Sequence, residues 1–147
     1  MVHALHQIHG LLAPNGRLID LHPNGEPPPI TVRLGDDHHL VGWVREESDY
    51  DAYALADVAL ETVTSDELGT GVSQRLYRLQ AQDTFAFITY FDTLPDLQRY
   101  LAAEWSDAYI EDLVAMQIES LMHSAIVEQE ITIKEIVQIS GMIPLLR

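Results

Sequence analysis

Residues 2–23, VHALHQIHGLLAPNGRLIDLHP, are the most informative stretch of the sequence, because their pattern predicts a helix, a helix stop and a strand in direct succession. The first part repeats apolar side chains at helical spacing, which predicts an amphipathic helix over residues 2–13. These side chains are Leu5, Ile8 and Leu12. Residues 14–16, Pro-Asn-Gly, end that helix, because proline cannot continue it and Asn-Gly readily takes positive φ. Residues 17–22 are largely apolar on both faces and therefore predict a strand buried between helix layers.

The rest of the chain predicts further helices and strands that complete one domain over residues 1–147. Next comes a hairpin that turns at Gly35-Asp36-Asp37. The helix after it has Ser48 as its N-cap, with Asp49 and Asp51 favouring its positive end. The predicted segments are the hairpin 30–44, the helix 48–64, strands 74–80 and 84–92, helices 94–105 and 109–127, and a final strand 130–139 in which Glu135 is the one interruption.

Charge and composition exclude several classes of partner and site. Twenty-three acidic residues face eight basic ones, which gives a formal net charge of −15. Binding to nucleic acid or to an anionic membrane is not expected, because such affinity depends largely on Lys and Arg. No apolar run approaches the ~18 to 20 residues of a membrane-spanning helix, and no signal peptide is recognised. The absence of cysteine excludes disulfides and zinc–thiolate sites, and the expected location is cytoplasmic.

Residues 4–20, ALHQIHGLLAPNGRLID, resemble a stretch common in class I S-adenosylmethionine-dependent methyltransferases. In that family a helix ends in a segment of the type R-x-L-x-P-G-G, and the fifth strand of the sheet follows. Gly10 stands where the family often has arginine, and Asn15 stands where the first glycine of the pair usually lies. Asparagine tolerates the left-handed backbone, so the turn is expected to survive. Beyond residue 23 the resemblance is one of element order, with a Tyr-Phe-Asp run at residues 90–92.

The resemblance implies an α/β fold, a small mixed sheet with flanking helices like the C-terminal half of a Rossmann-like methyltransferase, plus an inserted β-hairpin. The family's final strand runs antiparallel between two others, which here are the strands around Ile19 and Phe87. The family's glycine-rich cofactor turn has no counterpart, because Gly69 and Gly71 do not follow a strand that begins such a sheet. No cofactor is therefore expected, and S-adenosylmethionine would bind only if a partner completed the site. Alone, the chain is not expected to methylate a substrate.

The substrate side of the implied fold supplies the candidate site residues. Ligands of open α/β sheets bind beyond the carboxyl ends of the strands, which places Asp20, His22 and Pro23 at the border of an acceptor pocket. The alternative is that Asp20 caps the strand end and His22 is an ordinary loop histidine. Another set of histidines is spaced by three along the first helix: His3, His6 and His9. No carboxylate completes a zinc pattern with them, so no metal is expected.

Two functions of different classes follow from these observations. The first is a non-catalytic methyltransferase-like module that forms a homodimer through residues 2–22, because the strand around Ile19 would otherwise present an unpaired edge. The second is the substrate-side half of a split or truncated methyltransferase, active only with a separately encoded half that carries the cofactor site. A small-molecule binding module that uses the acceptor pocket is a third possibility, for which the sequence names no ligand.

Overall fold

The computed structural model describes residues 1–47, 52–65, 75–124 and 126–145. The predicted N-cap Ser48, with Asp49 and Asp51, lies outside these residues, as does the glycine pair Gly69 and Gly71. Within the described ranges, no helix has both the length and the apolar character needed to cross a bilayer.

The described residues form four helices, each of which lies within a helix that the sequence periodicity predicts. They are α1 (Val2–Leu11), α2 (Ala52–Thr64), α3 (Leu94–Glu104) and α4 (Asp112–Ser124). The start of α3 shows most clearly how local sequence determines where a helix begins. The Thr93 side chain accepts a hydrogen bond from the backbone N–H of Asp96, and Pro95 lies in the first turn, where its missing N–H leaves no gap in the helix.

Seven strands complete the described secondary structure, and the predicted mixed α/β class is confirmed. They are β1 (Leu18–Pro23), β2 (Pro29–Leu34), β3 (Asp37–Trp43), β4 (Arg45–Glu46), β5 (Tyr77–Phe91), β6 (Ala108–Tyr109) and β7 (Gln129–Pro144). β2 and β3 form the predicted hairpin, which turns at Gly35 with a positive φ of 60°. A positive φ is unstrained for glycine because it has no Cβ.

The main sheet is organised around β7. β1 pairs antiparallel with the second half of β7, from Leu18 opposite Met142 to Pro23 opposite Val137. β2 pairs antiparallel with its first half, β3 pairs with β2, and β5 also pairs with β7. The antiparallel pairing predicted between the final strand and the strand around Ile19 is therefore confirmed, and the strand that contains Phe87 is a partner of β7 as well.

Two segments differ from the sequence prediction. The runs predicted as separate strands, 74–80 and 84–92, form the single strand β5 in the described residues, because the residues between them include no glycine or proline to turn the chain. The helix predicted from residue 109 begins at Asp112 instead. The preceding residues pair as β6 with β4, and the Trp105 indole N–H donates to Glu46 Oε1 at 2.8 Å beside this pair.

The turn between α1 and β1 forms where it was predicted but by a different mechanism. Positive φ occurs only at glycines in the described residues, so Asn15 does not take the expected left-handed conformation. Leu12 instead leaves the helix in an extended conformation, and the N–H of Gly16 donates to the carbonyl of Ala13 at 2.8 Å. A Cβ on Gly16 would lie 2.9 Å from that same oxygen. Glycine is needed here for close approach of the backbone.

The chain divides into two compact units, each with its own apolar core. Unit 1 comprises the described residues of Met1–Gly25, Asp51–Phe85 and Val137–Arg147, and unit 2 comprises those of Glu26–Tyr50 and Ala86–Ile136. The core of unit 1 is formed by Leu5, Ala59, Leu60, Val63, Leu76, Tyr77 and Met142. The core of unit 2 is formed by Ile30, Val32, Val41, Val44, Phe91, Leu94, Leu97, Leu101, Val114, Ile118, Ile131 and Ile133.

Close packing in unit 2 requires glycine at one position of the hairpin. A Cβ on Gly42 would lie 2.4 Å from Cγ2 of Val114, a distance that atoms of real side chains do not reach. Strand β3 therefore approaches α4 so closely that only a hydrogen fits at this position. The residue is set by packing rather than by a turn.

Candidate functional site

Asp20 and His22 meet on one face of β1, because alternate residues of a strand point to the same side. The Nδ1–H of His22 donates to Oδ2 of Asp20 at 2.6 Å. The His22 side chain is buried, with 8 % of the residue exposed. Pro23 ends the strand opposite Val137 and has no N–H to donate. The strand thus brings together two of the three residues that the sequence singled out, and it places the third at the strand end.

The other ring nitrogen of His22 reaches helix α2. Nε2 lies 3.2 Å from Oδ1 of Asp57, and the side-chain amide of Gln138 on β7 donates to the same oxygen at 3.0 Å. Gln138 stands directly opposite His22 in the β1–β7 register, which brings it within reach of Asp57. We refer to Asp20, His22, Asp57 and Gln138 as the His22 cluster. All four residues belong to unit 1.

The chemistry of the His22 cluster follows from its donors and acceptors. Ionised carboxylates only accept hydrogen bonds, so both contacts of His22 are hydrogen bonds only when the ring carries a proton on each nitrogen. The imidazolium then lies between two negative charges, and both of its N–H groups are used. Each ring nitrogen already faces a carboxylate oxygen, so a metal ion could reach neither nitrogen unless one of these contacts broke. The arrangement favours a role in holding β1 and α2 in place.

A cleft of 270 Å³ lies next to the His22 cluster in unit 1. It is lined by Asp57, Leu60, Glu61, Thr64, Leu79, Gln82, Gln138, Ser140 and Met142. Ser140 faces Asp20 across the β1–β7 ladder and is only 2 % exposed. Its Oγ is buried and has no hydrogen-bond partner in the part of the chain that the structure describes. A buried hydroxyl without a partner is uncommon in folded proteins, because the lost hydration is not replaced.

Two other cavities lie within single units. The larger has a volume of 720 Å³ and is formed in unit 2 by Asp92, Thr93, Leu94, Pro95, Met116, Glu119, Ser120, Met122, His123 and Gln129. The second, of 460 Å³, lies in unit 1 beside α1 and includes His6 and His9. His9 Nε2 lies 3.0 Å from the carbonyl oxygen of Leu145, and its ring packs edge-on against Tyr77. No group of three or more histidine and acidic side chains in the described residues is arranged to hold a metal ion.

The sequence predicted Asp20 and His22 as site residues but not Asp57 and Gln138, which complete the His22 cluster. Asp57 was predicted to be helical, and nothing in its neighbourhood distinguishes it from the other acidic residues of the chain. Gln138 and Ser140 carried a usable signal, because two polar residues at alternate positions of an otherwise apolar strand indicate a polar patch on one face. No protein-family model, curated protein or solved structure matches this chain.

Proposed function

We propose that this chain is a cytoplasmic, non-catalytic module with a Rossmann-like, methyltransferase-type fold, which assembles as a homodimer through residues 2–22. The main support is strand β1, which combines an unpaired edge with exposed apolar side chains. A non-catalytic role is supported by His22, since both of its ring nitrogens are occupied by Asp20 and Asp57. In this proposal the chain alone neither binds S-adenosylmethionine nor transfers a methyl group.

The edge of β1 is the first argument for self-association. Among the described residues its only strand partner is β7, so its other edge carries backbone N–H and C=O groups without strand partners. Ile19 is 63 % exposed and Leu21 is 56 % exposed, on the face opposite Asp20 and His22. Edge strands of this kind tend to pair with another chain. Two copies can pair the same strand antiparallel across a two-fold axis.

Charge is the second argument. All 23 acidic residues of the chain lie at position 20 or later, so residues 1–19 contain none and include the cation Arg17. Two chains that each carry a formal charge of −15 repel one another over most of their surface. The segment of α1 and β1 is where that repulsion is weakest, which supports it as the contact between copies.

The oligomeric state tests the proposal. We expect sedimentation velocity and light scattering in dilute solution to give the mass of a dimer. Ile19→Lys should raise the dimer dissociation constant by about tenfold or more, because it places a desolvated charge in the contact. Leu113→Lys is the matched control: this residue lies on α4 in unit 2 and is 77 % exposed, so the variant adds the same charge elsewhere. A monomeric wild-type protein would refute the proposal, as would equal dissociation of both variants.

A second candidate function is the substrate-side half of a split methyltransferase. It is favoured by the position of the His22 cluster at the carboxyl end of β1, next to a cleft, since open α/β sheets bind ligands at strand ends. Thermal unfolding with S-adenosylmethionine should then show no shift for the chain alone. A shift should appear only when a captured partner chain is added. A partner that restores neither cofactor binding nor methyl transfer would contradict this function.

A further inference from the structure

We infer that the unit 1 cleft beside the His22 cluster is a binding site for a small aliphatic amine in its ammonium form. This inference is independent of the proposed self-association. It rests on Ser140, Asp57 and Glu61, whereas the proposed contact between copies uses the opposite face of β1, with Ile19 and Leu21.

Ser140 provides the observation that points to a ligand. Its side chain is enclosed, its Oγ has no hydrogen-bond partner among the described residues, and it forms part of the cleft wall. A hydroxyl in this position is costly unless something that enters the cleft bonds to it. Alanine would fill the same space on β7 without an unsatisfied polar atom. The hydroxyl is therefore best explained by a hydrogen bond to a ligand.

The charge of the cleft indicates that the ligand is positively charged. Asp57 and Glu61 lie one helical turn apart on α2, and both line the cleft. Among the described residues, no lysine or arginine lines the cleft. His22 and Gln138 both bond to Oδ1 of Asp57, which fixes the carboxylate and leaves Oδ2 for another donor. An anion such as phosphate or a carboxylate would meet the carboxylates of Asp57 and Glu61, with no lysine or arginine beside them among the described lining residues.

The volume and the apolar wall of the cleft indicate which kind of cation fits it. The cleft volume of 270 Å³ lies just below the ~300 to 1,000 Å³ of sites for drug-sized ligands, so the ligand is small. Leu60, Leu79 and Met142 supply apolar wall for a short aliphatic chain. A primary ammonium group carries three N–H donors, which matches one hydroxyl and two carboxylates as acceptors. A short alkylamine fits these requirements together.

Binding of n-butylammonium to the full chain is the test, measured by calorimetry and by the shift in unfolding temperature. We expect saturable binding and a rising Tm with n-butylammonium chloride. Sodium butyrate, n-butanol and potassium chloride at equal concentration should produce no saturable shift. Together they separate charge sign, apolar burial and ionic strength as causes.

Variants locate the site. Ser140→Ala should weaken n-butylammonium binding by about tenfold or more, because a hydrogen bond to a charged group is lost. The variant should remain folded, since it removes an unsatisfied buried hydroxyl. Glu61→Gln should also weaken binding, by removing one negative charge. Ser124→Ala and Glu104→Gln, at exposed positions on α4 and α3, are matched controls that should bind as the wild type does.

Three results would overturn the inference. The first is the absence of saturable binding by n-butylammonium, and the second is unchanged affinity in Ser140→Ala. The third is equal, Ser140-dependent stabilisation by magnesium or calcium chloride, which would make the cleft a metal site. Dimerisation of the chain is measured separately, so its failure leaves this result unaffected.

Discussion

The two units of this protein differ in the contacts that stabilise each of them internally. Unit 2 buries an almost wholly apolar core between the β2–β3 hairpin, α3, α4 and the first half of β7. Unit 1 has the smaller apolar core and adds polar contacts: the Tyr77 hydroxyl on the carbonyl of Leu5, His9 on the carbonyl of Leu145, and the His22 cluster. We therefore expect the apolar core of unit 2 to contribute most to the stability of the fold. We expect the polar residues of unit 1 to form its functional site.

Strand β7 shows the change within one element. In unit 2 it buries Ile131 and Ile133, and in unit 1 it buries Ser140 and places Gln138 on Asp57. The same strand thus contributes to an apolar core in unit 2 and to a polar site in unit 1. Variants in each unit test whether the two units differ in this way.

The largest effect is expected in the core of unit 2. Leu97 on α3 is fully buried, so Leu97→Ala removes apolar contacts and leaves a cavity. We expect a loss of about 2–5 kcal/mol in the free energy of unfolding, measured by urea denaturation. Leu113→Ala, at an exposed position on α4, should change stability by no more than ~0.5 kcal/mol. Similar values for the two variants would show that Leu97 does not belong to a closely packed core in unit 2.

A smaller effect is expected for the buried polar contact of unit 1. Tyr77→Phe removes the hydroxyl that donates to the Leu5 carbonyl at 2.7 Å and leaves that oxygen without this donor. The expected loss is about 1–3 kcal/mol, and Tyr90→Phe, at an exposed ring, should cost almost nothing. Equal losses of stability in the two variants would show that the hydrogen bond from Tyr77 to Leu5 does not stabilise unit 1.

The same tyrosine gives unit 1 a response to alkaline pH. Burial raises the pKa of Tyr77 above its ordinary value of 10.0. A raised pKa in the folded state means that this contribution is fully present below pH 10.0 and is lost as pH rises through the folded value. The difference in stability between wild type and Tyr77→Phe should therefore shrink in strongly alkaline solution.

The smallest effects are expected at two glutamates of β7 in unit 2, and they should have opposite signs. The Arg33 guanidinium bonds to Glu130 at 2.7 Å and lowers the pKa of that carboxyl below 4.5, whereas burial raises the pKa of Glu135 above 4.5. At pH 7 Glu130→Gln should destabilise the fold, because it loses an ion pair. Glu135→Gln should stabilise it, because it removes a charge that is partly buried.

The pH dependence of these two variants provides their check. A lowered pKa contributes stability above pH 4.5 that is lost as pH falls through the folded pKa of Glu130. A raised pKa contributes stability below pH 4.5 that is lost as pH rises through the folded pKa of Glu135. Both differences from wild type should therefore diminish from neutral to acid solution. Differences of the same sign at neutral pH would contradict the assignment.

Much of the fold follows from local patterns in the sequence. Each helix lies within a predicted one, and the hairpin and the antiparallel partner of β1 were also predicted. Tertiary contacts decide what the patterns miss. The sequence predicted a final strand that ends at residue 139, yet β7 continues to Pro144. Ser140 is buried and Ile139 is partly exposed, because Gln138, Ser140 and Met142 face the cleft beside α2. The pairing of β4 with β6 is likewise too short to leave a periodic signal.

The candidate site could be predicted only in part, for a physical reason. Asp20 and His22 are two residues apart on one strand, so strand geometry alone brings them together. Asp57 and Gln138 lie on other elements, 35 and 116 positions from His22 along the sequence. Only the packing of α2 and the register of β7 place them there. The resemblance to methyltransferases stays a prediction that the assembly and cofactor-binding experiments address.

Strand β5 has a consequence for the behaviour of the protein in solution. It runs for 15 residues, and Phe85, Phe87, Ile88 and Tyr90 are all substantially exposed along it. Such a strand is prone to pair with its own kind in aggregates unless something keeps molecules apart. The high negative charge does so at neutral pH, and it disappears near the isoelectric point of about 4.5. Colloidal solubility should therefore be lowest in mild acid, where charge no longer protects β5.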